Sequence, residues 1–170
     1  MGEYNELYHH GIKGQKWGIR RFQSYQQNPK KASSGIKTYK AAKEIFDSLD
    51  PKEKSNLTTN GKFENSQYLV TRKVSYFSKG KPQAFAEIER DPDDLKSGYI
   101  SVAVHKDYRG QGLSKDVCKE VLRDAKNKGL KDIYWETTKD NPASGATAKS
   151  LGFEKAKNYG KNDDNYVYHL

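Results

Sequence analysis

Hydrophobic residues recur every three or four positions in two stretches of the chain, which predicts two amphipathic helices. The first covers residues 35–49 and ends before Pro51, because the residue that precedes a proline avoids helical backbone angles. The second covers residues 113–128, and Gly129 is suited to its C-terminal cap. Two shorter helices are predicted at 52–57 and 142–150, because a proline stands at or just before the start of each.

Residues with β-branched and aromatic side chains are frequent in six further segments, which predicts six strands. These segments are 68–77, 83–90, 99–104, 131–138, 153–159 and 165–170. The first two form a hairpin around the break at 79–82. The strand–helix–strand order over 99–138 predicts a right-handed parallel crossover inside a mixed sheet. The element order therefore predicts a mixed α/β (α+β) fold.

Residues 1–34 show no sustained hydrophobic period and contain glycines, a proline and paired serines, which are typical of loops. We therefore divide the chain into a basic, partly disordered N-terminal extension at 1–34 and a folded domain at 35–170. The net charge is +9, of which residues 1–40 carry +6. Such an arm indicates either a docking or nucleic-acid-binding segment or a solvated arm without a partner. The rest of the chain is nearly balanced in charge, so we expect no nucleic-acid binding by the main domain.

Several classes of protein are excluded by what the sequence lacks. No apolar run approaches the roughly 18 residues of a membrane helix, so we expect no membrane partner. The N-terminus lacks the apolar stretch of a secretory signal, which favours a cytoplasmic protein. The single cysteine, Cys118, excludes an internal disulfide and an all-cysteine zinc site, and we expect it to be a buried, inert thiol. His9-His10 alone offers too few ligands, so we expect no metal.

The most informative segment is 104–114, which joins a predicted strand to a predicted helix. Gly110 and Gly112 let the backbone turn tightly, so the amides of 110–114 converge at a helix N-terminus. Such a concave group of amides suits a phosphate or diphosphate, and Arg109 adds a positive charge at its mouth. The Gly-Lys-Ser/Thr ending of a P-loop is missing, and the glycine spacing differs from that of a dinucleotide-binding fingerprint.

The segment from about Tyr99 to Glu154 resembles the GNAT superfamily of acyl-CoA N-acyltransferases. Arg-Gly-Gln-Gly-Leu-Ser at 109–114 is similar to the family's Arg/Gln-x-x-Gly-x-Gly/Ala signature, with Ser114 where the family usually has Gly or Ala. Asn141 and the later Leu-Gly-Phe at 151–153 are similar to a second block of the family. The resemblance implies a mixed, mostly antiparallel sheet with one parallel β-α-β crossover and helices on both faces.

The resemblance also implies that acetyl-CoA is the co-substrate and that no metal takes part. In this interpretation, the amides of 109–114 hold the diphosphate, and the backbone of Val102 and Val104 pairs with the pantetheine arm. Asn141 contacts the pantetheine or positions the acyl group, and an amine attacks the thioester directly. The implied cofactor-binding residues are Val102, Ala103, Val104, Arg109, Gly110, Gln111, Gly112, Leu113, Ser114 and Asn141.

Catalytic residues are less well defined by the resemblance. In many family members, a tyrosine five residues before the Phe of Leu-Gly-Phe acts as the acid that protonates the leaving thiolate. This chain has Ala148 at that position. The usual acid is therefore absent or another hydroxyl serves, and the candidates are Tyr159, Ser144 and Ser150. A general base must reach the amine, and the candidates are Glu87, Glu89, Glu136 and His105. The predicted catalytic residues are Glu87, Glu136 and Tyr159.

Residues 7–23 resemble a leader found near the termini of proteins encoded by prophages of Gram-positive bacteria. This resemblance predicts docking to a phage structural protein, with Trp17 and Phe22 as anchors, and a location in the host cytoplasm or on the virion. The leading function is acetyl transfer to a primary amine on an unidentified small molecule or protein. Two alternatives are a catalytically inactive GNAT-fold phage structural or interaction protein and nucleic-acid binding through residues 13–40.

Overall fold

The computed structural model describes residues 35–55, residue 57 and residues 68–170. Within them, the helices are α1 (Gly35–Asp47), α2 (Pro51–Ser55), α3 (Leu113–Asn127) and α4 (Pro142–Ser150). The strands are β1 (Leu69–Tyr76), β2 (Pro82–Arg90), β3 (Ser97–Val104), β4 (Asp132–Trp135), β5 (Glu154–Lys155) and β6 (Tyr166–His169). The extension at 1–34, with its leader at 7–23 and the pair His9-His10, lies outside the described residues. No helix within the described ranges is long and apolar enough to cross a membrane.

The strands form one sheet in the order β1-β2-β3-β4-β6-β5. Neighbouring strands in the described part of the sheet are antiparallel except β3 and β4. This pair is parallel because α3 returns the chain to the same end of the sheet before β4 begins. The element order and the parallel crossover confirm the predicted mixed α/β fold.

Both faces of the sheet are covered by helices, as the alternation along β2 shows. Ala84, Ala86 and Ile88 pack in one buried cluster with the apolar face of α3. Phe85 points to the other face and packs in a second cluster with α1. Because successive side chains of β2 serve opposite cores, this strand is buried along almost its whole length.

The strand predicted at 153–159 is much shorter in the structure, where only Glu154–Lys155 pairs with β6. A loop replaces the rest of it, because a buried carboxylate supplies hydrogen bonds that compete with sheet pairing. Oδ2 of Asp163 accepts hydrogen bonds from the amides of Tyr159 (3.1 Å) and Gly160 (2.5 Å). The prediction that Tyr159 ends a strand is therefore wrong, and this tyrosine lies in an ordered loop.

Cys118 lies on the buried face of α3, which confirms the expectation of a buried thiol. Burial raises the pKa of this thiol to about 12. The thiol therefore stays protonated at neutral pH, where only the thiolate would be a good nucleophile. Its environment fits a packing role in the core between α3 and the sheet.

Candidate active site

The parallel strands β3 and β4 separate part-way along their length and leave a cleft between them. They pair only where Ser97–Tyr99 lies beside Asp132–Tyr134, although β3 runs on through residues 100–104. β4 ends at Trp135, three residues short of the predicted strand, and beyond it an isolated bridge joins Thr138 to Asp163. Residues 100–104 therefore have no neighbouring strand on this side within the described chain. The cleft holds a cavity of about 280 Å³, close to the lower end of small-molecule sites.

The register of β3 with β2 determines which backbone N–H and C=O groups of β3 face the open edge. On its other edge, the amide of His105 donates to the carbonyl of Gln83 at 2.7 Å. Gln83 and His105 therefore form a hydrogen-bonded pair, and in an antiparallel ladder such pairs alternate with non-hydrogen-bonded ones. By the register, Val104 and Val102 lie in non-hydrogen-bonded pairs with Ala84 and Ala86 of β2. Their N–H and C=O groups consequently point into the cleft, whereas those of Ala103 point toward β2.

The turn between β3 and α3 lies at one end of the cleft. Gly110 and Gly112 have φ angles of 76° and 75°, in the left-handed region that favours glycine. A Cβ at either position would meet no heavy atom within 4 Å, so the backbone angle rather than space requires glycine. Gly112 is also the N-cap of α3 and supplies no side-chain cap. The Lys115 amide donates to the Gly112 carbonyl at 3.0 Å, so the first-turn amides available to an anionic ligand are those of Leu113 and Ser114.

Arg109 connects this turn to α2. Its Nη2 donates to Oε2 of Glu53 at 2.7 Å, and both side chains line the cavity while remaining partly exposed. A capping box positions Glu53: the Asp50 amide donates to Glu53 Oε2 (3.1 Å), and the Glu53 amide donates to Asp50 Oδ1 (2.9 Å). Glu53 was not predicted as a site residue, although its spacing from Asp50 is a recognisable signal for such a cap.

α4 contributes Asn141 and Ser144 to the cavity wall. Asn141 is the N-cap, and its Oδ1 accepts a hydrogen bond from the Ser144 amide at 3.3 Å. The Ser144 hydroxyl oxygen accepts a hydrogen bond from the indole N–H of the buried Trp135 at 2.9 Å. This bond occupies one lone pair of the hydroxyl and leaves its proton available to a group in the cavity. Ser150 instead donates to the Thr147 carbonyl and does not line the cavity.

Acidic and aromatic side chains lie together where the chain leaves β4. Glu136 lines the cavity and is partly buried. Tyr159 does not line it, but burial and then the negative charge of Glu136 raise the pKa of its phenol. Tyr134 and Tyr99 line the cavity with ring centroids 5.5 Å apart. The negative charge of Glu136 therefore acts on the Tyr159 phenol, although of these two predicted catalytic residues only Glu136 lines the cavity.

Glu87, the third predicted catalytic residue, lies away from the cavity in a buried ion pair. Its Oε2 accepts a hydrogen bond from Nε of Arg72 at 2.6 Å, and the two side chains are 2% and 4% exposed. Two further candidate bases are also placed elsewhere: Glu89 is buried in β2, and His105 caps the short turn after β3. None of the three lines the cavity, which leaves Glu136 as the candidate base that does.

The predicted cofactor-binding residues divide between the cavity wall and the turn beside it. Those that line the cavity are Val102, Ala103, Val104, Arg109, Ser114 and Asn141. Those in the turn but outside the cavity lining are Gly110, Gln111, Gly112 and Leu113. Among the residues that the structure describes, no group of three His, Cys, Asp or Glu side chains could hold a metal ion.

A family model described as Acetyltransferase (GNAT) family matches residues 37–153. Because the match covers more than half of the chain, this protein belongs to the GNAT acetyltransferase family. It confirms the resemblance indicated by the Arg-Gly-Gln-Gly-Leu-Ser turn and the Leu-Gly-Phe block. The leader resemblance at 7–23 stays a prediction, since those residues lie outside both the described and the matched segments.

Known proteins are similar to this chain over different lengths. A 61-residue stretch is 39% identical to N-alpha-acetyltransferase 30 of Schizosaccharomyces pombe, which is 35% of this chain but only 41% of that protein. The GNAT domain of S. lividans PAT has a TM-score of 0.66 at 10% identity, over 79% of this chain and 86% of that chain. A phosphinothricin acetyltransferase from Sinorhizobium meliloti in complex with AcCoA has a TM-score of 0.52 at 17% identity, over 58% and 60%. These structures share the fold.

Proposed function

We propose that this protein transfers an acetyl group from acetyl-CoA to a primary amine. The observation that carries the proposal is the open edge of β3, where backbone groups of Val102 and Val104 point into the cleft. An extended pantetheine arm contains amide groups, which can pair with such an edge as an added strand does. Its diphosphate then reaches the turn at 109–114, where the first-turn amides of α3, the helix dipole and Arg109 favour an anion.

The proposed reaction needs a proton acceptor and a stabilised leaving group. The amine nitrogen bonds to the thioester carbonyl carbon, the C–S bond breaks, and the sulfur leaves with the electron pair. We assign Glu136 as the base that takes the proton from the attacking nitrogen, since it is the candidate base that lines the cavity. We assign the Ser144 hydroxyl as the hydrogen-bond donor to the leaving sulfur. Tyr159, whose raised pKa keeps it protonated, is a second hydroxyl donor beside Glu136.

The acceptor that we propose to test first is a peptide with a free N-terminus. This choice rests on the 61-residue stretch that is 39% identical to N-alpha-acetyltransferase 30. Peptides with a blocked N-terminus and one lysine, together with polyamines, provide comparison acceptors of the same functional group. The ratio of kcat/KM between these classes measures the preference directly.

The thermal midpoint with and without acetyl-CoA tests whether the cleft binds the co-substrate. A ligand at about 100 times its dissociation constant adds roughly 2.7 kcal/mol to the free energy of unfolding. That increment raises the midpoint by several degrees in a domain of this size. We expect a clear rise, and release of the CoA thiol only when an acceptor amine is present.

Two glycine variants separate binding from folding in this experiment. Gly112→Trp places a large side chain in the diphosphate turn, and Gly129→Trp places one beyond the other end of α3. Gly129 has a similar φ of 83° and equally open surroundings, so both variants carry comparable backbone strain. Only Gly112→Trp should lose the acetyl-CoA shift. No shift in the folded wild-type protein at millimolar acetyl-CoA would rule out the proposed site.

A further inference from the structure

The short helix α2 contributes Glu53 to the cavity wall and is attached by ion pairs on two sides. On the β3 side, Glu53 pairs with Arg109 of the turn before α3 at 2.7 Å. On the β4 side, Lys52 pairs with Asp140, just before α4, at 3.3 Å. Two ion pairs from adjacent residues of α2 therefore span the chain segments that follow the two separating strands.

One of these ion pairs uses the guanidinium that the proposed function assigns to the diphosphate. Glu53 and Arg109 line the same cavity, next to Ser114 in the first turn of α3. The carboxylate of Glu53 thus already supplies an anion to Arg109 at the end of the cleft. A diphosphate in that turn brings further negative charge to the same guanidinium. The diphosphate and the Glu53 carboxylate, both next to Arg109, then repel each other.

We infer that Glu53 and the diphosphate of the acyl donor compete for Arg109, so that donor binding detaches α2 from the turn. The inference rests on the proposed function and adds a residue that sets donor affinity. The exchange is easy because Arg109 and Glu53 are 45% and 36% exposed, and ion pairs of that exposure contribute little stability. α2 itself stays intact, since the Asp50 capping box holds its first turn independently of Arg109.

The variant Glu53→Gln tests the competition without removing the helix cap. Glutamine can occupy the same capping-box position, so the change removes the charge and keeps the hydrogen-bond geometry. Calorimetric titration with acetyl-CoA should show affinity that is tighter by about threefold, the size of effect expected for one exposed ion pair. The gain should shrink at about 0.5 M salt, where exposed charges are screened.

Two control variants separate competition from general charge effects and from loosening of α2. Asp47→Asn removes one negative charge at the end of α1, where Asp47 pairs with Lys43 at 2.5 Å and does not line the cavity. Lys52→Gln releases the other attachment of α2 and leaves Glu53 on Arg109. Neither should bind acetyl-CoA more tightly than the wild-type protein. A gain in either control equal to that of Glu53→Gln would overturn the competition.

A donor without the diphosphate provides the second arm of the test. S-acetylpantetheine reaches the open edge of β3 but has no anion for Arg109, so Glu53→Gln should leave its affinity unchanged. An equal gain for both donors, or no gain for acetyl-CoA, would overturn the inference while the proposed function stands. Absence of acetyl-CoA binding by the wild-type protein and by all variants would overturn the proposed function together with the inference.

Discussion

Burial distinguishes Glu136 from Glu87, the two carboxylates among the three predicted catalytic residues. Glu136 lines the cavity, whereas Glu87 is 2% exposed and compensates the charge of Arg72. Their sequence surroundings are alike, since each lies among β-branched and aromatic residues. Glu87 is buried because it pairs with Arg72, which lies 15 residues earlier on β1. Glu136 reaches the cavity because β4 ends just before it, at Trp135. Tertiary contacts therefore place Glu87 in a buried ion pair and leave Glu136 as the candidate base at the cavity wall.

We expect Glu136→Gln to lower kcat by about 100-fold, because general-base catalysis contributes at least that factor in many enzymes. Its free energy of unfolding should change little, since the side chain lies at the cavity wall. Glu87→Gln should instead lower the free energy of unfolding by about 3 kcal/mol, because the buried Arg72 loses its counter-charge. Steady-state kinetics and urea unfolding check the pair, and equal rate losses in folded samples of both variants would contradict the assignment.

Ser144→Ala should lower kcat about 10-fold with little change in KM for acetyl-CoA, because a hydrogen bond to sulfur strengthens as the thiolate forms. The change also leaves the buried Trp135 N–H without this acceptor. The effect of Ser144→Ala on kcat is therefore measured again in a Trp135→Phe background, which lacks that N–H. Ser150→Ala is the matched control, since its hydroxyl donates to the Thr147 carbonyl. A rate loss that disappears in the Trp135→Phe background would assign Ser144 to folding alone.

At the scale of elements, a polar contact between α3 and β1 supplements the buried core. Oδ2 of Asp124 pairs with Nζ of Lys73 at 2.8 Å and accepts from Oγ1 of Thr71 at 3.0 Å. The hydrogen bond from Lys73, followed by that from Thr71, holds the pKa of Asp124 below its ordinary 3.8 despite partial burial. Because the folded-state pKa is depressed, this stabilisation is complete above the unfolded value and is lost as the pH falls through the folded value.

Asp124→Asn should therefore lower the free energy of unfolding by about 1 kcal/mol at pH 7, the typical value of one such hydrogen-bonded contact. The deficit should be smaller at pH 3, which lies below the ordinary pKa of 3.8, and it should vanish as the pH falls further through the depressed folded-state pKa. Urea unfolding at the two pH values checks the expectation. A deficit of equal size at both would show that the charge of Asp124 does not connect α3 to β1.

The order of elements could be predicted because α1, α3 and β2 each bury a face whose spacing is visible in the sequence. The family motif likewise located the turn at 109–114. The resemblance implied a role for the backbone of Val102 and Val104, but the hydrophobic pattern alone could not predict the cleft, because the cleft depends on where β3 and β4 stop pairing and on the register of β3 with β2. The contact between Glu53 and Arg109 joins positions 56 residues apart, so no local pattern reveals it.

For the whole molecule, the positive charge is concentrated near the N-terminus. Residues 1–34 contain six Lys or Arg and two acids, so they carry +4 of the net +9. The residues that the structure describes, all of which lie within 35–170, form both core clusters, the sheet and the cleft. We therefore propose that acetyl transfer belongs to residues 35–170, and that the basic extension acts on partners through its charge.

Deletion of residues 1–34 should leave kcat and the acetyl-CoA thermal shift unchanged, while weakening binding to a polyanion such as heparin. The net charge falls from +9 to +5, because the deleted segment carries +4. Fewer cations release fewer counterions on binding, so the truncated chain should elute from heparin at lower salt. Loss of kcat on truncation would make the extension part of the catalytic domain. Elution of both forms at the same salt would assign polyanion binding to residues 35–170.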